Sequence, residues 1–402
     1  MVSGAGPEQE LVIDLDGRSR RAIADVALVG AAEIGDELIV NTQAVDLDLG
    51  SGGFDIVHVN LTRGLGAADG SEANVMKLNF TSLQHTVAPV DDQDLVLPVT
   101  RPTAVLALHG QLAAVAWAFA QVAPQGKLGF VQTEGGALPG GHSRTIRTLR
   151  ERGLLAGHLT AGAAFGGEAE AITLAGALHH GLQTLGWDAA VCGPGPGIIG
   201  SGSPLGHGGM SALDSAHVAL ALGCPTQLVA RMSSSDERVR HRGISHHTMV
   251  VLELLLEPVS VALPVAIPSP PGQEPDLAAI LGDAKASAKL DAANPGPRDA
   301  AGPAADPSMQ GLRGGRPGRI ARHRWCRVGA DLAGYAASGL PAETMGRRLS
   351  EDPLFFAAAL AGGTVLAGLA GAGESPQRAG VEDRNTSGSN EGAFVLGAKL
   401  EE

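Results

Sequence analysis

Three guanidinium groups, three imidazoles and two hydroxyls are packed into one short run, Arg238-Val-Arg240-His241-Arg242-Gly243-Ile244-Ser245-His246-His247-Thr248, of a chain otherwise rich in Ala, Gly, Leu and Val. Such a density of cationic and titratable groups marks a ligand site rather than a packing solution. Guanidinium groups grip phosphate or carboxylate through paired N–H donors, so Arg238, Arg240, Arg242 and the nearby Arg231 predict an anionic ligand, with the hydroxyls of Ser245 and Thr248 beside it. Ser245 suits the N-cap of the apolar helix that follows, which puts His246 and His247 in its first turn. The positive helix end disfavours protonated imidazole, and a neutral ring is what a general base or a metal ligand needs. Adjacent helical residues point about a third of a turn apart. His246 and His247 are therefore not expected to share a ligand; one would enter the cleft as the base and the other support it.

A second run, Gly193 to Gly209, is the natural partner. Gly195, Gly197 and Gly200 match the dinucleotide-binding spacing, but Ser201-Gly202-Ser203-Pro204 prevents the helix that the motif requires, and the next strand ends at Arg231 rather than at an acid. No phosphate-loop lysine follows. What remains is a series of backbone N–H donors, from Gly195 through Ser203, able to line an anion site. His109, in a further loop, is a ligand-binding candidate, and Glu134 a candidate acid or base. The spacing of His207 and His217 fits no recognised metal motif, so no metal ligands are assigned and no cofactor is named. Ser201 and Ser203 lack a nucleophile-elbow pattern.

The elements that must position these residues are legible as alternating periods. Between residues 8 and 100 short apolar runs separated by Gly and Asp predict a small barrel-like β domain. From 101 to 267, strands at Thr103–Leu108, Lys127–Gln132, Gly157–Thr160, Asp188–Cys192 and Thr226–Arg231 alternate with helices. The helices are expected at Gln111–Val122, Ser143–Arg152, Gly167–Leu185, Ala212–Leu222 and His246–Glu257. That order predicts an α/β fold, a Rossmann-like doubly wound parallel sheet, whose ligand lies at the carboxyl ends of the strands. All the candidate residues fall in those loops.

Residues 268–320, rich in Pro, Gly, Ala and Asp, read as a linker or insertion, with a short helix at Asp276–Leu281. Residues 321–371 read as a helical tail packing on the α/β domain, its last helix starting at Ser350-Glu351-Asp352-Pro353, and residues 372–402 read as disordered. Leu354 to Gly373 is uncharged and about as long as a bilayer span, but its Ala and Gly content contributes little insertion energy and predicts a buried helix.

A length of 402 residues supplies a sizeable core without staples, and three scattered cysteines fit a reducing cytoplasm. A net charge of −13 argues against a nucleic-acid partner but leaves room for a local basic patch. Residues Met1 to Glu10 carry no signal-peptide pattern, and self-association stays open.

The motifs Asp46-Leu-Asp-Leu-Gly-Ser-Gly-Gly-Phe54, Met76-Lys-Leu78, Leu108-His-Gly-Gln-Leu-Ala113, Gly135-Gly-Ala-Leu-Pro139, Gly193 to Gly202 and Arg240-His-Arg-Gly-Ile-Ser-His-His-Thr248 together resemble an uncharacterised bacterial family, domain of unknown function 3866. The resemblance covers residues 35 to 265, and Thr344 to Phe356 is similar to that family's closing segment. It implies no activity and no catalytic residue. The leading expectation is an enzyme that binds a small anionic metabolite. A non-catalytic metabolite-binding or assembly protein and a histidine-based metal-dependent hydrolase are the alternatives.

Overall fold

The period-two alternation near the N-terminus builds a five-stranded sheet from β1 (Val2–Ser3), β2 (Glu8–Leu15), β3 (Arg18–Asp25), β4 (Leu38–Asn41) and β5 (Asp55–Asn60), ordered β1-β2-β3-β5-β4. The computed structural model describes residues 2–3, 8–49, 52–64, 73–90, 92, 94–265 and 319–372. Among them the sheet ends in edges at β1 and β4, so the barrel-like closure expected from sequence is replaced by an open sheet. Its core is small: Leu11, Ala22, Ala24, Val29, Ala32 and Val57. A hairpin of β6 (Val75–Lys77) and β7 (His85–Val87) joins it to the larger body, where the buried Lys77 Nζ donates to Glu170 Oε2 at 2.5 Å. Glu8–Arg147 and Asp25–His142 pairs make further links.

The body is an eight-stranded sheet in which every ladder is parallel. Its strands are β8 (Thr103–Leu106), β9 (Leu128–Thr133), β10 (Gly157–Ala161), β11 (Ala169–Ala171), β12 (Ala189–Pro194) and β13 (Thr226–Val229). After a small antiparallel ladder of β14 (Met232–Ser233) with β15 (Gly243–Ile244) come β16 (Ser260–Val265) and β17 (Arg324–Gly329). The order β11-β10-β9-β12-β8-β13-β16-β17 inserts β12 between β8 and β9, unlike the dinucleotide-binding arrangement.

Side chains alternate across this sheet, as parallel strands buried on both faces require. Val105, Val131, Cys192 and Leu228 point to one core, packed by α3 (Leu174–His179), α4 (Ser211–Ala221) and α5 (His246–Leu254). Ala104, Phe130, Val191 and Val229 point to the other, packed by α1 (Leu112–Val122), α2 (Arg144–Glu151), α6 (Leu332–Ala337) and α7 (Pro353–Ala372). Gly363 lets α7 approach α1 so closely that a Cβ there would lie 2.2 Å from the Val115 carbonyl oxygen.

Three expectations change. Gly167–Leu185 is not one helix: β11 forms first, and α3 starts at Leu174 after Thr173, whose Oγ1 caps the Gly176 amide. The segment 321–371 is not wholly helical, because β17 pairs with β16 before α6 and α7 follow. The last helix starts at Pro353, preceded by Asp352 rather than by an N-cap at Ser350. Among the described residues Pro353–Gly371 alone has the length and apolarity to cross a bilayer, and 67% of it is buried. The expectations for 268–320, including a helix at Asp276–Leu281, and for 372–402 fall almost wholly outside the described residues.

Candidate functional site

β12, β8 and β13 lie side by side at the centre of the sheet, and loops from their carboxyl ends wall a cleft of about 880 Å³. His109 comes from the β8 loop, Pro196 to Ile198 and His207 from the β12 loop, and Arg231 with Ser235 to Arg238 from the β13 loop. The fourth wall is the turn Thr344 to Arg347 between β18 (Glu343–Thr344) and β19 (Arg347–Arg348).

Asp236 organises the basic wall. Its carboxylate receives Arg238 Nε and Nη2, each at 3.0 Å, Arg231 Nη2 at 3.2 Å and Arg347 Nη2 at 3.3 Å. Burial alone would raise the Asp236 pKa, but the Arg238 hydrogen bonds and neighbouring guanidinium charges hold it well below the usual carboxylate range. Arg231 is 2% exposed, and burial together with the Arg238 and Arg347 charges lowers its pKa to about 10. Its Nε is buried without a hydrogen-bond partner. Asp352, which is fully buried, takes Ser233 Oγ at 2.5 Å, the Ser234 amide at 2.8 Å and Arg347 Nε at 3.1 Å, tying the tail to the β13 loop.

Four imidazoles lie against this wall. The His207 ring stacks on His247 at 4.3 Å between centroids, His246 and His247 are 3.8 Å apart, and His241 lies 4.8 Å from His246. His246 and His247 therefore converge, contrary to the expectation from helical spacing. Helical side chains lean toward the N-terminus, and in a first turn no preceding turn separates them. Ser245 holds the N-cap position but does not cap; its Oγ meets His241 Nδ1 at 2.8 Å. Thr248 Oγ1 accepts the Arg231 amide at 3.0 Å, strapping the arginine strand end to α5. All four rings are held neutral. Burial is the first cause and the charge of Arg231 a further one, lowering His207 to about 4, His247 to about 3 and His241 to about 2, with His246 shifted the same way.

The other candidates separate. His109 lines the cleft, its Nδ1 donating to the Pro194 carbonyl at 3.2 Å and its Nε2 accepting the Ser143 hydroxyl at 2.7 Å, with burial lowering its pKa to about 4. Gly197 lines it at φ +68°. Gly195 instead packs on the neighbouring loop, where a Cβ would meet the Ala137 oxygen at 2.3 Å. Gly200, Ser201, Gly202 and Ser203 form a hairpin tip off the cleft, closed by a Gly200–His207 bridge and the Ser201 amide on the Gly206 oxygen. Within that run the Ser201 and Ser203 amides are spent inside the loop, on the Gly206 oxygen and on Ser201 Oγ. Glu134 is exposed and outside the lining. Arg242 is exposed and donates to the Asp236 backbone oxygen at 2.8 Å, and Arg240 has a buried Nε with no partner; neither lines the cleft. His246 and His247 lie behind the wall, and His217 is elsewhere, accepting the Leu256 amide.

From sequence Asp236 reads only as an acid the arginines could pair with at the surface, Asp352 only as part of a helix start and Arg347 without a role in the site, whereas both acids are buried beneath the arginines; His241 stands in the basic run without a role. An acid within a basic loop was the available signal for Asp236; Arg347 lies in the Thr344–Phe356 segment that resembles the family's closing motif, but nothing there tied it to a loop 111 residues away. A family model described as "Protein of unknown function (DUF3866)" matches residues 21–363. No curated protein and no solved structure matches the chain.

Proposed function

The chain belongs to that family, whose description names no reaction, and we propose from the cleft alone that it binds a small anionic metabolite, bearing phosphate or carboxylate, and acts on it as an enzyme. One observation carries the reading: three arginines on a single buried aspartate, with the Arg231 Nε unpartnered. The lining holds three guanidinium groups against Asp236 and Glu237, and Asp352 behind it pairs with Arg347, so the wall is close to neutral in a protein whose net charge is −13. The position, at the carboxyl ends of central parallel strands, is where such sheets take their ligands. Neutral His207, whose Nδ1 is held by the Gly209 amide, reaches the cleft surface and replaces His246 and His247 as the group able to exchange hydrogen bonds with a ligand, while His109 lines the cleft with both ring nitrogens engaged by Pro194 and Ser143. Three free cysteines, two of them buried, support a cytoplasmic setting.

Thermal-shift screening with inorganic phosphate, sugar phosphates, nucleotides, coenzyme A esters and carboxylates in separate pools tests the binding half. One pool is expected to raise Tm by mass action. Arg231→Gln, which removes a charge-assisted contact of about 1.5–3 kcal/mol, is expected to weaken that ligand by roughly 10- to 100-fold. Silence from every pool, or unchanged affinity in Arg231→Gln and Arg347→Gln together, sinks the reading. A ligand recovered chemically unaltered after long incubation removes the enzymatic half only.

A further inference from the structure

We propose that His241, His246 and His247 form a binding site for a first-row transition-metal dication of the zinc class, set behind the wall of the cleft. One nitrogen from each ring lies within 4.8 Å of the other two, and all three residues are buried. Tetrahedral ligands at zinc bond lengths stand about 3.3 Å apart, so rotations that draw the nitrogens together by at most ~1.5 Å complete the site.

The outer hydrogen bonds are those a ligating histidine makes. His241 Nδ1 is held by Ser245 Oγ at 2.8 Å, and His247 Nδ1 donates to the Pro204 oxygen at 3.3 Å. His241 and His247 thus each have Nδ1 held by the protein, which orients both rings and, for His247, sets the tautomer that leaves Nε2 free to ligate. His246 Nδ1 is a buried atom without a partner in a residue 2% exposed. Leaving such an atom unmatched is costly, and a metal ion satisfies it.

His207 lines the cleft and stacks on His247, so the loop that carries it covers the histidine cluster on the cleft side. The guanidinium charges of Arg231 and Arg238 oppose a dication as they oppose a proton, so an anion in the cleft is expected to tighten the metal.

The test uses tag-free, full-length protein stripped with chelator, then titrated with Zn²⁺ by calorimetry and with Co²⁺ by visible absorption. One equivalent per chain is expected, with a Co²⁺ spectrum of nitrogen-ligated, low-coordinate type. His241→Asn, His246→Gln and His247→Gln are each expected to weaken Zn²⁺ at least ~100-fold, while His217→Gln, outside the cluster, leaves it unchanged. Histidine-selective nitrogen NMR of the wild type gives a readout that does not depend on the variants folding: three imidazoles shift on adding Zn²⁺. Sub-stoichiometric metal, three unmoved imidazoles, or equal uptake by wild type and a folded His247→Gln overturns the site. Because Zn²⁺ is titrated with and without phosphate, failure of the anion reading leaves metal binding in the phosphate-free arm intact.

Discussion

At the scale of single residues, Asp236 decides the character of the cleft. It is 1% exposed and holds Arg231, Arg238 and Arg347 together. Removing one partner of a buried charge cluster leaves the others uncompensated, at a cost of about 3–5 kcal/mol. Asp236→Asn is therefore expected to lower stability by that amount in urea melts, and phosphate is expected to restore more of it than phosphate adds to the wild type. A variant as stable as wild type, or one that phosphate does not help, would show that the arginines do not depend on this acid. The basic run was legible residue by residue, because Arg and His types announce their chemistry. Their geometry was not legible: the helical spacing that separated His246 from His247 holds in the middle of a helix and fails at its first turn.

At the scale of elements, strand and helix periods read from the sequence located β8, β9, β10, β12 and β13 and the helices α1, α2, α4 and α5 within a few residues. β16 and β17 were not legible. Their pairing is parallel and long-range, so no tight turn marks it, and Pro264 within β16 looked like the end of the pattern. β11 was absorbed into a helix because the Ala- and Gly-rich stretch around it carries no strong period. The glycine count in the β12 loop has a reason different from the one sequence suggested. A Cβ on Gly208 would lie 1.8 Å from the Gly135 oxygen, and one on Gly136 2.3 Å from the Gly195 oxygen, so two loops meet backbone to backbone. Gly208→Ala must push them apart, an overpacking cost of about 1–3 kcal/mol. It is expected to lower Tm, displace His207 and weaken the cleft's ligand by at least ~10-fold. Gly202→Ala, with nothing within 4 Å, is expected to change neither. Equal behaviour of the two variants would disprove the interlock.

At the scale of the whole molecule, buried neutral histidines couple folding to pH. Away from the cluster behind the cleft, burial lowers His109 to about 4 and His158 to about 3, and it shifts His323 in the same direction. His158, 4% exposed and stacked on Phe130, has a buried Nε2 with no partner. Unfolded histidines titrate near 6.5, so below that pH the unfolded chain takes up protons that the native chain refuses. The stability these groups supply is complete above pH 6.5 and is lost as pH falls toward their folded values. His109 and His158 each contribute a slope approaching about 1.4 kcal/mol per pH unit between those limits. Chelator-treated protein is expected to be less stable at pH 5.5 than at 7.5, and His158→Gln to reduce that difference by one group's share. Flat stability across the interval would contradict it.

The turn from Thr344 to Arg347 closes the cleft, yet Arg347 and Asp236 are 111 residues apart in the chain, and Ser233 and Asp352 are 119 apart. During translation the arginine loop is made long before the residues that complete it. At about 5–20 residues per second, the interval is roughly 6–24 seconds. For that time a nascent chain carries a basic, unfinished pocket, with the residues that close it not yet made or still inside the ribosome. Ribosome-bound chains halted before residue 340 therefore lack the fourth wall, whatever the rest of the sheet has achieved.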